Sequence, residues 1–444
     1  MKARLIWLML VLVLVCGGCS ADPNEKANKL YVEASQLLQS AQQRKEKDFS
    51  ADYAAYQDAR KTIDAILTDY PASTVAVGLL SGQTKILGLT LRQFQEKEEA
   101  VKLLAEAEQS PLEAAFVVAE AMEGNTHDKA VALTVALIAI AENHAEAGKN
   151  EKATALLEQL EKTIKGNGFE LSMFSHVAIS YAKIGQKEKG ERLLSQLLKQ
   201  ENDNKNDSVL QSISIGYAIC GNISRAIDIA NKIDEPLWKS LALATVANEI
   251  EKKENNAAEI RLQAIDIAAH IKEPAVRARV LLLVADGYAK SGQKEKSLEM
   301  FSKSYELIDE KRRNDPSYND RSYNLSLMGI ATHYAEAGFF DQAKEIIDKI
   351  LDDSEKIPLL ARIAVKTGQK EDAARLLAKF IGIVRDGMAK VSGDSSWRWQ
   401  SNQLVQIAKM YAEAGIQPGA KEKAILLEIV HSAVKTNPLF AQAQ

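Results

Sequence analysis

Six histidines, three cysteines and 60 carboxylates are the groups in this 444-residue chain that could do chemistry. The histidines are His127, His144, His176, His270, His333 and His431. No two stand four apart around a glutamate, the spacing that turns two imidazoles toward one zinc ion from a single helix face. The segment Gly78-Leu79-Leu80-Ser81-Gly82-Gln83-Thr84-Lys85 has the residue types of a phosphate-cradling loop but no strand before it. Gly393-Asp394-Ser395 has those of a nucleophile elbow, but it falls between helical patterns rather than at a strand-to-helix turn. The carboxylates are spread evenly, many with a Lys four residues away, as on a solvated helix face where each pair contributes a few tenths of a kcal/mol. Cys220 lies in the apolar run Tyr217-Ala218-Ile219-Cys220 and reads as a small core hydrophobe. The expectation is a protein without a catalytic site, metal site or cofactor.

The other two cysteines stand at the N-terminus, in MKARLIWLMLVLVLVCGGCSA. Lys2 and Arg4 precede an apolar run from Leu5 to Cys16. Twelve residues are too few to span a bilayer core, which needs about 20 as a helix; the run fits the hydrophobic region of a signal peptide. Cys16-Gly17-Gly18-Cys19 then resembles the lipobox of bacterial lipoproteins, with Cys16 where that family prefers Leu. The resemblance implies cleavage before Cys19, a diacylglycerol on its sulfur and a fatty acyl group such as palmitate on its new amino end. Several acyl chains hold a protein to a bilayer stably, where one is marginal. Ser20, in place of the Asp that marks inner-membrane retention, implies the outer membrane of the cell envelope, facing the periplasm. Loss of residues 1–18 would remove two of the 56 basic residues and take the formal charge from −4 to −6. Such a balance lacks the basic excess that neutralises phosphates, so no nucleic-acid partner is expected.

The elements that would position any site come from a repeat. Glycines recur at 148, 185, 221, 292, 338, 368 and 415. Four residues before them stand His144, Tyr181, Tyr217, Tyr288, Tyr334, Ala364 and Tyr411. Three before those stand Ala141, Ala178, Ser214, Ala285, Ala331, Ala361 and Ala408. Nine after the Tyr position stand Ala153, Gly190, Ala226, Ser297, Ala343, Ala373 and Ala420. This predicts a helical hairpin: small residues let two helices approach, the Tyr fills the gap beside them, and the Gly ends the first helix in a left-handed cap. Apolar residues continue at helical spacing, as at Leu156, Leu157 and Leu160, then Leu193, Leu194 and Leu197. One hairpin cannot bury its apolar face, so neighbours must stack.

The pattern resembles the tetratricopeptide (TPR) repeat, whose period is about 34 residues. The glycine spacings here are 37, 36, 71, 46, 30 and 47. The longest reads as two units with a decayed middle one around Ala247 and Ile250, where Glu254 replaces the Gly and the second helix, on the stripe Ala258-Leu262-Ile265, is out of phase by one residue. Ala59, Ile63, Ile66 and Pro71 form a half-match near the N-terminus. The resemblance implies an all-α fold, an α-solenoid of stacked antiparallel helix pairs, with eight to nine repeats. No alternation of β-branched residues predicts a sheet. Pro71, Pro111, Pro236, Pro274, Pro316, Pro358 and Pro418 are expected between helices. The expected division is a signal peptide at 1–18, a lipidated Cys19 with a polar tether to 30, an N-terminal helical region at 31–125 with a helix restart at Ser110-Pro111, the repeat array at 126–435 and a tail at 436–444.

Two places on the array are candidates for partner binding. The first helices of the repeats line the concave face in the resembled family, which implies Arg279, Asp286 and Lys290 in one repeat, Thr332 and Glu336 in the next, and Asn402 and Lys409 in the last. The second place is a pair of longer joints. One, within 310–323, carries Arg321 and Tyr323; the other, within 384–400, carries Trp397 and Trp399. Arg among aromatics is the composition of binding hot spots, so the two joints could form one rim, or else extend helices and pad the local core. The expected function is a membrane-anchored scaffold for protein–protein interaction in the bacterial cell envelope, with a protein or peptide partner. A glycan- or peptidoglycan-binding accessory subunit is the alternative, favoured if aromatics line a groove near Trp397 and Trp399; an enzyme with an unrecognised site comes third.

Overall fold

The computed structural model describes residues 22–44, 48–122, 127–167, 171–204, 206–250, 257–390 and 394–434. The segment expected as a signal peptide, Cys19 and the expected C-terminal tail lie outside the described residues. Among those described, the structure is all helical apart from one isolated bridge between Ile86 and Leu89. The chain divides into two compact units, one ending at Glu108 and the other running from Gln109 to Ala433.

Among the described residues the first unit holds four helices: α1 (Pro23–Gln42), α2 (Phe49–Asp69), α3 (Thr74–Ser81) and α4 (Leu91–Ala107). The stretch to residue 30, expected as a tether, is helical from Pro23. Asp22 caps it, accepting from Asn24 N at 3.0 Å, and Pro23 takes the first helical position, where its missing N–H costs nothing. Ala59, Ile63 and Ile66 are buried in the core of this unit, and the rings of Tyr56 and Phe94 stack at 5.6 Å. The Glu108 carboxylate accepts from the backbone N–H groups of Phe49 and Ser50, closing the start of α2.

The second unit begins with α5 (Pro111–Ala121), so this helix packs with the array rather than with the N-terminal region. Its start is the expected one, with Ser110 accepting from Leu112 N. Eight helices then form an inner layer: α6 (His127–Glu146), α8 (Leu171–Lys183), α10 (Asp207–Cys220), α12 (Pro236–Ile250), α14 (Pro274–Lys290), α16 (Asp320–Glu336), α18 (Asp353–Lys366) and α20 (Asp394–Ala414). Between them come the outer helices α7 (Asn150–Asn167), α9 (Lys187–Asn204), α11 (Ile223–Asn231), α13 (Ala257–Ala269), α15 (Lys294–Asn314), α17 (Phe340–Asp348) and α19 (Lys370–Lys390). Each outer helix packs on the inner helix before it and the inner helix after it. A final helix, α21 (Ala420–Val434), is tied to α19 by Arg385 and Glu428 at 3.2 Å.

Each inner helix also packs on the next, and α20 packs on α6, so the inner layer closes on itself. The outer place beside α20 is filled by α5, which touches both α20 and α6. Ser401 donates to the Ala115 carbonyl at 2.9 Å and Arg398 pairs with Asp128 at 2.7 Å across this seam.

All seven repeat glycines have φ between +61° and +97°. In each, the Gly N–H donates to the carbonyl three residues back, and the next N–H donates to the carbonyl at the Tyr position; Gly185 N to Ala182 O and Gln186 N to Tyr181 O, at 3.2 and 2.7 Å, are typical. This double bond pattern fixes the four-residue interval between Tyr and Gly. The two small positions of a hairpin face one another. Ser214 Oγ donates to Ala226 O at 2.8 Å, and Ser297 Oγ to Ala285 O at 2.9 Å. A Cβ on Gly190 would stand 2.7 Å from Ala178 O. Five of the Tyr positions are buried tyrosines. Three carry a cation eight residues on that lies over the ring: Lys189 on Tyr181, Arg225 on Tyr217 and Lys296 on Tyr288.

Three expectations change. Pro358 sits inside α18, six residues past its Asp352 cap, where one ladder bond is lost but the helix runs on. Ala420 is exposed at the first position of α21, because the turn Gly415–Gly419 is longer than in the other hairpins. In the decayed repeat, α13 buries Ala257, Arg261, Ala264 and Ala268, and Leu262 is 60% exposed. The helix is rotated by one residue from the expected stripe, with a guanidinium in the core over the Tyr288 ring at 4.8 Å.

Candidate binding surface

Around positions 144, 288, 334, 364 and 411 the inner helices carry polar side chains two residues before and two after the Tyr position, and α8 carries one after it, whereas α10 has Ile215 and Ile219 there. Four residues apart, they share one helix face. In the structure they meet across neighbouring helices. Lys183 on α8 pairs with Glu142 on α6 at 3.0 Å, and Lys409 on α20 reaches the same carboxylate at 4.0 Å. Lys366 on α18 lies 2.9 Å from Glu336 on α16 and 3.5 Å from Glu413 on α20. Arg362 binds Glu336 and donates to Gln406 at 3.4 Å. His333 on α16 meets Asp286 on α14 at 2.8 Å, and Asn248 on α12 donates to Leu283 O at 2.9 Å. One connected series of polar contacts thus runs from α12 through α14, α16, α18, α20 and α6 to α8.

Burial alone would raise the Glu336 carboxyl; the hydrogen bonds from Lys366 and Arg362 outweigh it and hold the group below the usual carboxylate range. Lys366 is raised in turn by its hydrogen bond to Glu336.

Of the residues expected on the first helices, Asp286, Glu336 and Lys409 join this series. Thr332 turns its hydroxyl back to Met328 O at 2.8 Å. Arg279 and Lys290 are exposed on α14. Asn402 is half-buried on α20, with Oδ1 enclosed. Sequence reading missed Glu142, Lys183, His333, Arg362, Lys366 and Glu413. The signal was present: all but His333 stand two residues from the Tyr position, in four of the seven glycine-marked repeats.

The two long joints extend helices. α15, α19 and α20 each reach 21 residues. In the first joint, Arg312 donates to Tyr318 O at 2.8 Å and lies over the Tyr323 ring at 5.4 Å. Tyr323 donates to Asp309 at 3.2 Å and packs, with Tyr318, against the main core, while Arg321 is exposed. In the second, Trp399 is 45% exposed and Arg398 turns to Asp128 on α6. The Trp397 side chain lies outside the described positions.

A cavity of about 560 Å³ lies at the seam, lined by Ser110 before α5, Glu113 of α5, Glu142 and Glu146 of α6, and Lys409 and Glu413 of α20. One of about 600 Å³ adjoins it through Glu142 and Glu146. Among the described residues no three His, Cys, Asp or Glu side chains form a metal-binding group. No single described helix is long and apolar enough to cross a membrane; α2 and α3 pass that test together, by length and composition only, across a 112° bend. No protein-family model matches this chain, and no curated protein is significantly similar to it.

Proposed function

We propose that this protein is a lipid-anchored helical-repeat scaffold of the bacterial cell envelope, TPR-like in its hairpins, that binds a protein or peptide on its inner helices. The observation that carries the reading is the connected polar series on those helices. From Glu336 through Lys366, Glu413, Lys409 and Glu142 to Lys183 both signs of charge alternate along it, the type of surface that recognises an extended polypeptide through many modest contacts. The anchor rests on Cys16-Gly17-Gly18-Cys19 and the apolar run before it.

Photo-crosslinking amino acids at Lys290, Thr332 and Lys409 in living cells test the surface, with Glu299 on an outer helix as control. Discrete adducts from the inner positions alone are expected. Equal yield from Glu299, or none from the inner three, would overturn it. Cys19→Ala is expected to abolish fatty-acid incorporation and release the chain from the membrane fraction. The exposed indole of Trp399 supports glycan binding as a second reading, which retention on immobilised peptidoglycan, lost with Trp399→Ala, would favour.

A further inference from the structure

Eight large hydrophobic side chains are exposed among the described residues, and four belong to the small first unit: Val32, Val77, Leu80 and Leu87. Val77 and Leu80, 54% and 67% exposed, are three apart and so share one face of α3. Leu87 follows in the turn after that helix. Its φ of +47° is a conformation that a side chain of this size rarely adopts. The turn is held in place: Ile86 and Leu89 exchange backbone hydrogen bonds, and Tyr31 donates to Lys85 O at 2.7 Å. A buried residue, Ile86, anchors it to the core while Leu87 is turned out.

The helix that carries Val77 and Leu80 begins beside the end of the chain that leads toward Cys19. Asn24, in the first turn of α1, accepts from the backbone N–H of Thr74, the first residue of α3, at 2.9 Å. Four residue steps separate Cys19 from Pro23, at most about 14 Å of extended chain. A bilayer holding Cys19 therefore comes within reach of α3.

We infer that Val77, Leu80 and Leu87 enter the lipid interface, so that α3 and its turn seat the first unit on the bilayer. The inference rests on the lipidation of Cys19 proposed above. An acyl chain alone is a tether about which a protein can swing, and a second, protein-borne apolar contact fixes its orientation.

An environment-sensitive fluorescent amino acid at Leu80 tests this in the full lipidated chain, reconstituted on vesicles of phosphatidylethanolamine and phosphatidylglycerol. Lys61 on α2, with 77% of its side chain exposed, is the control position. Nitroxide-bearing lipids are expected to quench position 80 at least threefold more than position 61. Equal quenching at the two positions, with the protein still floating with the vesicles, overturns the inference. The intact mass reports the anchor separately. If Cys19 carries no acyl group, the lipoprotein reading fails, and the same comparison after coupling Cys19 to a maleimide lipid decides the apolar contact by itself.

Discussion

Ser401 on α20 donates to the backbone carbonyl of Ala115 on α5, although 286 positions separate them. Both are buried, so the start and the end of the second unit share one core. A leucine at 401 has no room there. Overpacking of this type costs about 1–3 kcal/mol, and here it acts on the seam. Ser401→Leu is expected to speed amide exchange in α5 and α20 while leaving α10 and α12 protected. Uniform exchange changes across all helices would contradict a local seam.

Gly190 and Gly329 form a matched pair for a second test. A Cβ at 190 meets the Ala178 carbonyl at 2.7 Å, whereas one at 329, inside α16, meets nothing within 4 Å. Gly190→Ala must push two backbones apart and is expected to lower stability by about 1–3 kcal/mol. Gly329→Ala is expected to raise it by about 0.5–1 kcal/mol, because alanine restricts the unfolded chain. Denaturant midpoints of the two variants should move in opposite directions.

The part of the fold that was legible was local. The interval from Tyr to Gly is set by two backbone hydrogen bonds within one turn, so it recurs wherever that turn does. The small residues at the hairpin crossing are set by contact between adjacent helices, and they too recur. Arg261 was illegible because a charged residue reads as surface; the ring of Tyr288 lies against it and Gly287, with no side chain to fill the space, leaves room for it. The partnership of α5 with α20 leaves no periodic trace, since it occurs once and joins distant segments. The start of α1 was legible and misread, as Asp22-Pro23 carries both a cap and a first-turn proline. On the inner surface, charges that sequence reading treated as separate repeats turn out to pair between repeats.

The Glu336 network predicts a pH dependence with a definite sign. A carboxyl held below its ordinary value of 4.5 adds stability above that pH and loses it as the pH falls through the lowered value. Glu336→Gln is expected to lower the urea midpoint at pH 7, and the wild-type and variant midpoints should converge toward pH 3. The difference should stay within about 1 kcal/mol, because the Glu336 side chain is 36% exposed and its pairs are screened by solvent. A gap that widened on acidification would contradict the assignment.

Burial, with Glu191 adding to it, pushes the Cys220 thiol up to about 11. At pH 8 only about one thiol in a thousand would be ionised. Alkylation of the peptide containing Cys220 is expected to be negligible in the folded protein over an hour and complete in denaturant. Rapid labelling without denaturant would contradict its place in the core.

The placing of α5 beside α20 also sets an order of events. A ribosome makes α5 when most of the unit does not yet exist, and any machine that threads the chain N-terminus first across a membrane delivers it first as well. Its apolar face must then wait, covered by α6 alone, until nearly three hundred more residues arrive. Completion of the second unit is therefore the last act of its assembly, and a chain cut short anywhere before α20 keeps an open, adhesive first helix.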